Sequence, residues 1–460
     1  MISVKLLAAT KIVNGQANSD FLALASHAAL ECYQSEPPEL GKVIDVENRL
    51  FGTGHHTTLQ HYFFTFNVEG LGVSAITLGM HLVSPFYNSD QRSGRFCAKM
   101  FVEPDLAEIE AYIKIFWPRL CFAKRKAVMG FVEKGVRIYQ ENIVLATEMA
   151  ANFIGQERPF ANDDYIKTNA PKIAQEQLRV FISTIFPTGF DFTVNLSALA
   201  AMYAAAWSPE TLFFTQKMAY LVLERFPEIA YMFKRNKKAS FGDLSFIKNV
   251  MDPQVISESG FKLIEIDESG FVEPKPEDMW PLDLLHFLPS MMDNSVGNIK
   301  TEVELSLACM GQDQRHRTIR RGRPRLTGNF YLPPVPKSLG LSREAFDLMW
   351  QWMDLTRSLP FSLAQAIAPY GAMARYKKSG SLNAVLHEQN KRLCWCAQEE
   401  IYHLGRALRA AILEKNKKSR FARALEPYCF RTGKCAEGGR YCGRLIAVRQ
   451  KGDYFPLRKV

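Results

Sequence analysis

One order of elements occurs twice in this chain of 460 residues, and that repetition constrains the fold more than any single motif does. Residues 62–68 read Tyr-Phe-Phe-Thr-Phe-Asn-Val, an aromatic and β-branched run with strand character. Helical apolar spacing follows at 74–82, then a polar loop at 88–95. In the second half, 299–303 has strand character, 306–312 reads as helix, and an arginine-rich loop follows. Both halves continue in helix-rich sequence, over 172–184 and 196–206 in the first and over 362–368, 382–392 and 397–413 in the second. A recurring order of this kind marks a duplicated unit. Two units of about 230 residues fit the length. With the polar segment 234–242 as the joint, copy one is read as 1–235 and copy two as 236–460.

Composition then limits the partners. Hydrophobic residues are 47% and charged residues 23%, a globular balance with material for sizeable cores. No apolar run reaches the ~18 residues of a membrane span. The first ten residues lack the apolar core and cleavage site of a signal peptide, so a cytoplasmic location is expected. The net charge of +10 suits an anionic partner. Arg315, Arg317, Arg320, Arg321, Arg323 and Arg325 fall within eleven residues. By itself such a run reads equally as a solvated basic loop. No aromatic-interleaved RNA motif accompanies it, so small anionic ligands are expected rather than nucleic acid. Among nine cysteines, Cys32, Cys97, Cys121 and Cys309 are isolated, as in a reduced protein. Cys394 and Cys396 lie close together, and Cys429, Cys435 and Cys442 are spaced C-x5-C-x6-C. Neither group has the tight C-x2-C pairs of common zinc sites, and no metal is expected.

The chemistry concentrates at Gln312-Asp313-Gln314-Arg315-His316-Arg317, where a helix ends and a loop begins. Two guanidiniums flanking an imidazole offer fork-shaped donors around a planar ring, which suits phosphates and a polarised ring edge. The tripeptide alone is equally compatible with a solvated turn.

Further segments, in order, give it context. Ala28-Ala29-Leu30-Glu31-Cys32-Tyr33 comes first, then Gly54-His55-His56-Thr57-Thr58-Leu59-Gln60-His61-Tyr62-Phe63-Phe64-Thr65-Phe66. Ser93-Gly94-Arg95-Phe96 and Thr193-Val194-Asn195 follow. Gln312 then stands three residues before Arg315, and Arg392 six before Gln398 in Ala397-Gln398-Glu399-Glu400-Ile401. Through nearly the whole chain this series resembles the flavin-dependent thymidylate synthases, with Gln60 where that family usually has Glu. The resemblance implies an α+β fold, each copy a small mixed sheet packed with long helices. It implies FAD as cofactor, with NADPH and methylenetetrahydrofolate as co-substrates, in the methylation of dUMP to dTMP. It further implies Arg392 as the catalytic residue, charged against the ionising uracil. Gln312, Arg315, Ser93, Gly94, Arg95, Arg179 and Arg392 would bind dUMP, with Ser93 a hydrogen-bonding group rather than a nucleophile. Arg315, His316, Arg317, His55, Thr57, Asn383 and His387 would bind FAD. Asn383 and His387 share a face with Arg392 but do not match the family's usual residues there. A cysteine-bearing tail such as 435–443 is also common in the family, without an implied role.

Each copy departs from the pattern in a different place. Copy one has Met80-His81-Leu82 where Arg-His-Arg belongs, so His81 reads as packed structure, and Ala206, or Glu210 if an insertion is allowed, stands where the catalytic Arg belongs. Copy two has Arg323-Pro324-Arg325 without Ser-Gly-Arg, and Gln365 where copy one has Arg179. The losses are complementary. Family sites are assembled between subunits of a homotetramer, so the resemblance implies one complete site between the two copies and a homodimer that imitates the tetramer. Two further readings stay open. One is C5 alkylation of another uridine nucleotide, since three extra residues precede Ser93. The other is a flavin- or nucleotide-binding protein without turnover.

Overall fold

The computed structural model describes residues 2–13, 20–83, 86–94, 97, 99–158, 161–236, 252–273, 275, 288–435, 437–438, 441–442 and 455–460. Most of the joint expected at 234–242 lies outside them. Strand character at 62–68 becomes β2 (Phe63–Gly72), in which Phe64, Phe66 and Val68 are buried and alternate with partly exposed Thr65 and Asn67. β2 pairs antiparallel with β1 (Ser3–Ala9) and with β4 (Pro187–Asn195), and β4 pairs with β3 (Tyr87–Gln91). The order is β1-β2-β4-β3. Thr65 and Thr193 face each other across β2 and β4 with hydroxyls 2.9 Å apart, which fixes the register on the polar face.

The second sheet repeats that order. β7 (Asn298–Ser306) pairs antiparallel with β6 (Gly260–Asp267) and β10 (Ala372–Ser381), and β10 pairs with β9 (Arg325–Tyr331). Two additions complete it: β5 (Gln254–Ile256) lies parallel to β9, and β8 (Arg320–Arg321) pairs with β10. β4, β7 and β10 each run directly into a helix whose first turn their last residue caps. Asn195 Oδ1 accepts from Ala198 N at 2.8 Å, Ser306 Oγ from Cys309 N at 3.0 Å, and Ser381 Oγ from Ala384 N at 3.2 Å. Such caps satisfy an orphan amide and are worth about 1 kcal/mol each. They begin the helices Leu196–Ala205, Leu307–Asp313 and Leu382–Arg392.

Two sequence expectations need correction. The polar segment at 88–95 is not all loop, because Tyr87–Gln91 pairs with β4 as an edge strand. The arginine-rich segment is not all loop either, since Arg320–Arg321 forms β8 and β9 begins at Arg325. Polar composition is normal for an edge strand, which water can reach.

The halves share one core. The segments that precede β4 and β10 bond to each other: Thr184 N donates to Ala368 O, Tyr370 N to Ile182 O and Gly371 N to Val180 O, each at 2.8 Å. Around this seam the long helix Phe122–Glu157 packs with Ser342–Ser358, and Phe131, Phe181, Leu305, Phe330, Leu348 and Trp352 are all buried in one cluster. Gly135 allows the closest approach, as a Cβ there would meet Phe181 O at 2.3 Å. No helix among the described residues is long and apolar enough to cross a membrane.

Candidate functional site

A cavity of about 1210 Å³ opens between the halves. From the second half it is lined by Gln312, Arg315, His316, Arg317, His387 and Arg392, and from the first by Phe63, His81, Tyr87, Asn88, Thr193 and Asn195. The lining from the first half comes from the first residue of β2, the last residues of β4, the start of β3 and the short helix His81–Val83. Six residues expected from the sequence therefore meet in one place.

Local chemistry explains why the Arg315-His316-Arg317 loop takes its path. Asp313, the last residue of the Leu307–Asp313 helix, is buried and binds Arg321 Nε through Oδ2 at 2.5 Å. It also binds Lys378 Nζ, and it accepts from Tyr376 Oη at 2.8 Å. Lys378 Nζ reaches Glu388 at 2.9 Å as well. Arg321 Nη1 donates to the carbonyls of His316 at 2.7 Å and Ile319 at 2.9 Å. Both ends of the loop are thus tied to one buried group of two anions and two cations. Burial alone would raise the Asp313 pKa, but the charges of Arg321 and Lys378 outweigh it and hold the carboxyl far below the usual range.

The first half holds the loop from the other side. Arg317 Nη1 donates to Tyr87 O at 2.6 Å and Asn88 Oδ1 at 3.0 Å, and its guanidinium lies 4.3 Å from the centre of the Tyr87 ring. Tyr87 stacks in turn on His81, with ring centres 5.1 Å apart and planes 9° apart. The His81 ring nitrogens meet Gln314 Oε1 and Ser89 Oγ, each at 3.2 Å. Burial, with Arg317 and Arg315 nearby, pushes the His81 pKa down to about 4, so the ring is neutral near pH 7. His81 is packed, as the sequence suggested, but in the cavity wall. His316 is also held neutral, by burial first and then by Arg392 and His387. Its ring stands edge-on to His387 with centres 5.5 Å apart.

Arg392 and Arg179 grip one helix from opposite halves. Arg392 Nη2 donates to Gln312 O at 2.5 Å, and Arg179 Nη2 to Ala308 O at 3.2 Å. Those carbonyls are one turn apart, roughly 6 Å. Arg179 also stacks 5.5 Å from the Tyr370 ring centre, and a Cβ on Gly94 would lie 3.2 Å from Arg179 Nη1. Gln175 Nε2 donates to Gly94 O at 2.9 Å and fixes that loop against the arginine. The cluster of Ser93, Gly94 and Arg179 touches the same helix but does not line the large cavity, and Arg95 lies outside the described residues. Both arginines are buried, which lowers their pKa values, and the Nε of each has no hydrogen-bond partner among the described residues. Buried guanidiniums with unused donors fit an anionic or carbonyl-bearing ligand.

Three expected flavin contacts stand elsewhere in the chain. His55 precedes the 3-10 helix His56–His61 and packs edge-on against Tyr33, and Thr57 is exposed on that helix. Asn383 Nδ2 donates to Ser290 O at 3.1 Å, and Asn383 is not among the residues that line the cavity. Sequence reasoning missed Tyr87, Asn88 and Asp313. The aromatic Tyr87 at the start of a polar run was the one available signal. Among the described residues no cluster of histidine, cysteine or carboxylate side chains is placed to hold a metal ion.

Glu400 supports the site from behind. Its Oε1 accepts from Ser306 N and from Ser259 Oγ, each at 2.7 Å, and Ser306 Oγ donates to Oε2, beneath the start of the Leu307–Asp313 helix. Burial pushes its pKa up to about 7. The folded chain then keeps a proton that an unfolded chain releases near pH ~4.3. Stability from this group is complete below that pH and is lost as pH rises through about 7. Glu400→Gln should flatten the fall in urea midpoint between about pH 5 and pH 8, recovering about 2–4 kcal/mol at the upper end. Glu210, also buried and raised to about 7, accounts for slope that remains. A midpoint profile unchanged by the substitution contradicts the assignment.

Comparison with known proteins adds a family. The model of the thymidylate synthase complementing protein family matches residues 16–230. Among solved structures, the chain is similar to a thymidylate synthase X from Helicobacter pylori with FAD and dUMP, at 17% identity and a TM-score of 0.31, over 51% of this chain and 98% of that one. It is also similar to a UMP/dUMP methylase, PolB, from Streptomyces cacaoi bound with 5-Br dUMP, at 12% identity and a TM-score of 0.28, over 49% of this chain and 90% of that one. No curated protein matches it in sequence.

Proposed function

We propose that this chain, which belongs to the flavin-dependent thymidylate synthase family through residues 16–230, methylates dUMP to dTMP at a composite site between two copies of one domain. The observation that carries the reading is the cavity walled by both halves, with Arg-His-Arg and Arg392 on one side and the ends of β2 and β4 on the other. The matching strand orders support the duplication. Copy one is residues 1–235 and copy two 236–460. Two such chains would form a homodimer that imitates a tetramer, in the cytoplasm.

Bound FAD would supply hydride, with NADPH as reductant and methylenetetrahydrofolate as the one-carbon donor. The protein's share is orientation and charge. Arg315, exposed at the cavity edge, and Arg317, anchored on Tyr87, hold flavin phosphates, and neutral His316 lies beside them. Arg392 and Gln312 face the uracil edge, where a fixed guanidinium stabilises the negative charge that develops. Arg179 and the Ser93-Gly94-Arg95 loop, whose described residues do not line the cavity although Arg179 bonds the same helix as Arg392, would hold the nucleotide phosphate by charge-assisted bonds.

Purified protein should show flavin absorbance, or gain it with added FAD, and convert dUMP to dTMP when given methylenetetrahydrofolate and NADPH. Protein that stays colourless with excess FAD sinks the proposal. Flavin binding without product leaves a binding protein, and product from UMP but not dUMP assigns a different uridine nucleotide.

A further inference from the structure

The segment that joins Arg392 to Gln398 carries two thiols on the cavity wall. Cys394 and Cys396 both line the cavity, and Glu437 from the cysteine-bearing tail lines it beside them. The residue between them points the other way. Trp395 is buried, and its carbonyl accepts from Arg158 Nη2 at 3.1 Å and Arg458 Nη2 at 2.9 Å. Both guanidiniums also lie over its ring, 5.9 and 5.8 Å from the ring centre. The backbone is thus pinned at Trp395, and the flanking cysteines are turned to the open side. Ala397 N donates to Cys394 O at 3.0 Å, which closes a turn with the cysteines at its first and third positions. Two residues span at most about 7 Å, and the turn shortens that toward the ~5.5–6 Å Cα separation that a disulfide prefers. Cys396 N already lies 3.5 Å from Cys394 Sγ, and the two side chains are hydrogen-bonded.

We propose that Cys394 and Cys396 form a redox-active dithiol on the wall of the cavity, which exchanges with small-molecule disulfides. Cys394 thiolate attacks one sulfur of the disulfide and displaces one thiolate. Cys396 then loses its proton to water and attacks the Cys394 sulfur, and the second thiolate leaves. Two protein thiols are oxidised to one disulfide, and one small disulfide is reduced to two thiols. The assignment of roles follows the hydrogen bond, which lowers Cys394 to about 7 and raises Cys396. No flavin takes part, so this inference goes beyond the proposed activity and can fail independently of it.

The test uses native protein incubated with oxidised glutathione, quenched in acid, alkylated and mapped by mass. The expected result is a peptide carrying residues 394 and 396 that has lost two hydrogens, resists alkylation and recovers with dithiothreitol. In Cys396→Ser, Cys394 should stop as the mixed disulfide with glutathione, and in Cys394→Ser, Cys396 should stay unmodified. On the wild type, Cys394 alkylation should rise with a midpoint near pH 7, which needs no variant to fold. The proposal is overturned if both cysteines stay alkylatable while exposed Cys32, Cys97 and Cys121 react, or if Cys394 links to Cys435 instead.

Discussion

Replacing Arg392 with alanine is expected to lower dTMP formation by about 10²–10³-fold, as removal of a preorganised donor does elsewhere, while flavin stays bound. The guanidinium is buried, spends Nη2 on Gln312 O and leaves Nε without a partner among the described residues. A donor already desolvated and aimed costs little to reorganise when charge develops beside it. Arg179→Ala should produce a loss of similar size although it lies in the other half. Its signature should differ, with the larger effect in KM for the nucleotide, because Arg179 is assigned to the phosphate and not to the uracil. Retained activity in either variant counts against a composite site, and loss of flavin from Arg392→Ala counts against its assignment to the uracil. Circular dichroism must match wild type for both, since Arg179 also stacks on Tyr370 within the seam between the halves.

How far such a site can be read from sequence depends on the range of the interactions that build it. The helix Leu382–Arg392 was legible because Ser381 stands at its cap and Leu382, Val385 and Leu386 give its first turns helical apolar spacing. β2 was legible from its aromatic and β-branched run, a signal contained within one strand. β3 was not, because Tyr-Asn-Ser-Asp-Gln has no apolar alternation and becomes a strand only through its pairing with β4. In the site, Gln312, Arg315, His316, Arg317, His387 and Arg392 were legible through spacing and resemblance, and they do converge. The groups that hold them were not. Arg317 rests on Tyr87, 230 residues earlier, and nothing in either local sequence announces the other. The same holds for His55 and Thr57, whose local motif resembles flavin contacts, and for Asn383, chosen for the helix face it shares with Arg392; none of the three is on the cavity lining within one chain.

Asp313 is the clearest case of a residue that works through partners distant in sequence, and its replacement should have the second large effect. The buried group balances two carboxylates, Asp313 and Glu388, against Arg321 and Lys378. Asp313→Asn removes one negative charge and leaves a cation unpaired in the interior, which costs about 3–5 kcal/mol. Arg321 would keep the backbone carbonyl of residue 313 but lose its ion pair there, which weakens its grip on the helix end and on the carbonyls of His316 and Ile319. The loop bearing Arg315 and Arg317 should loosen, so flavin affinity should fall together with the urea midpoint. Charge count separates this account from simple loss of packing. Asp313→Asn combined with Lys378→Met restores neutrality with Arg321 and Glu388 still paired, and should recover a large part of the lost stability. A double variant no more stable than Asp313→Asn contradicts the argument. The acid side gives a second check. The folded-state pKa of Asp313 is held down by Arg321 and Lys378 against burial, so its contribution is complete above the ordinary carboxylate range and is lost only as pH falls below it. The stability difference between wild type and Asp313→Asn should therefore be constant near neutrality and shrink below about pH 4.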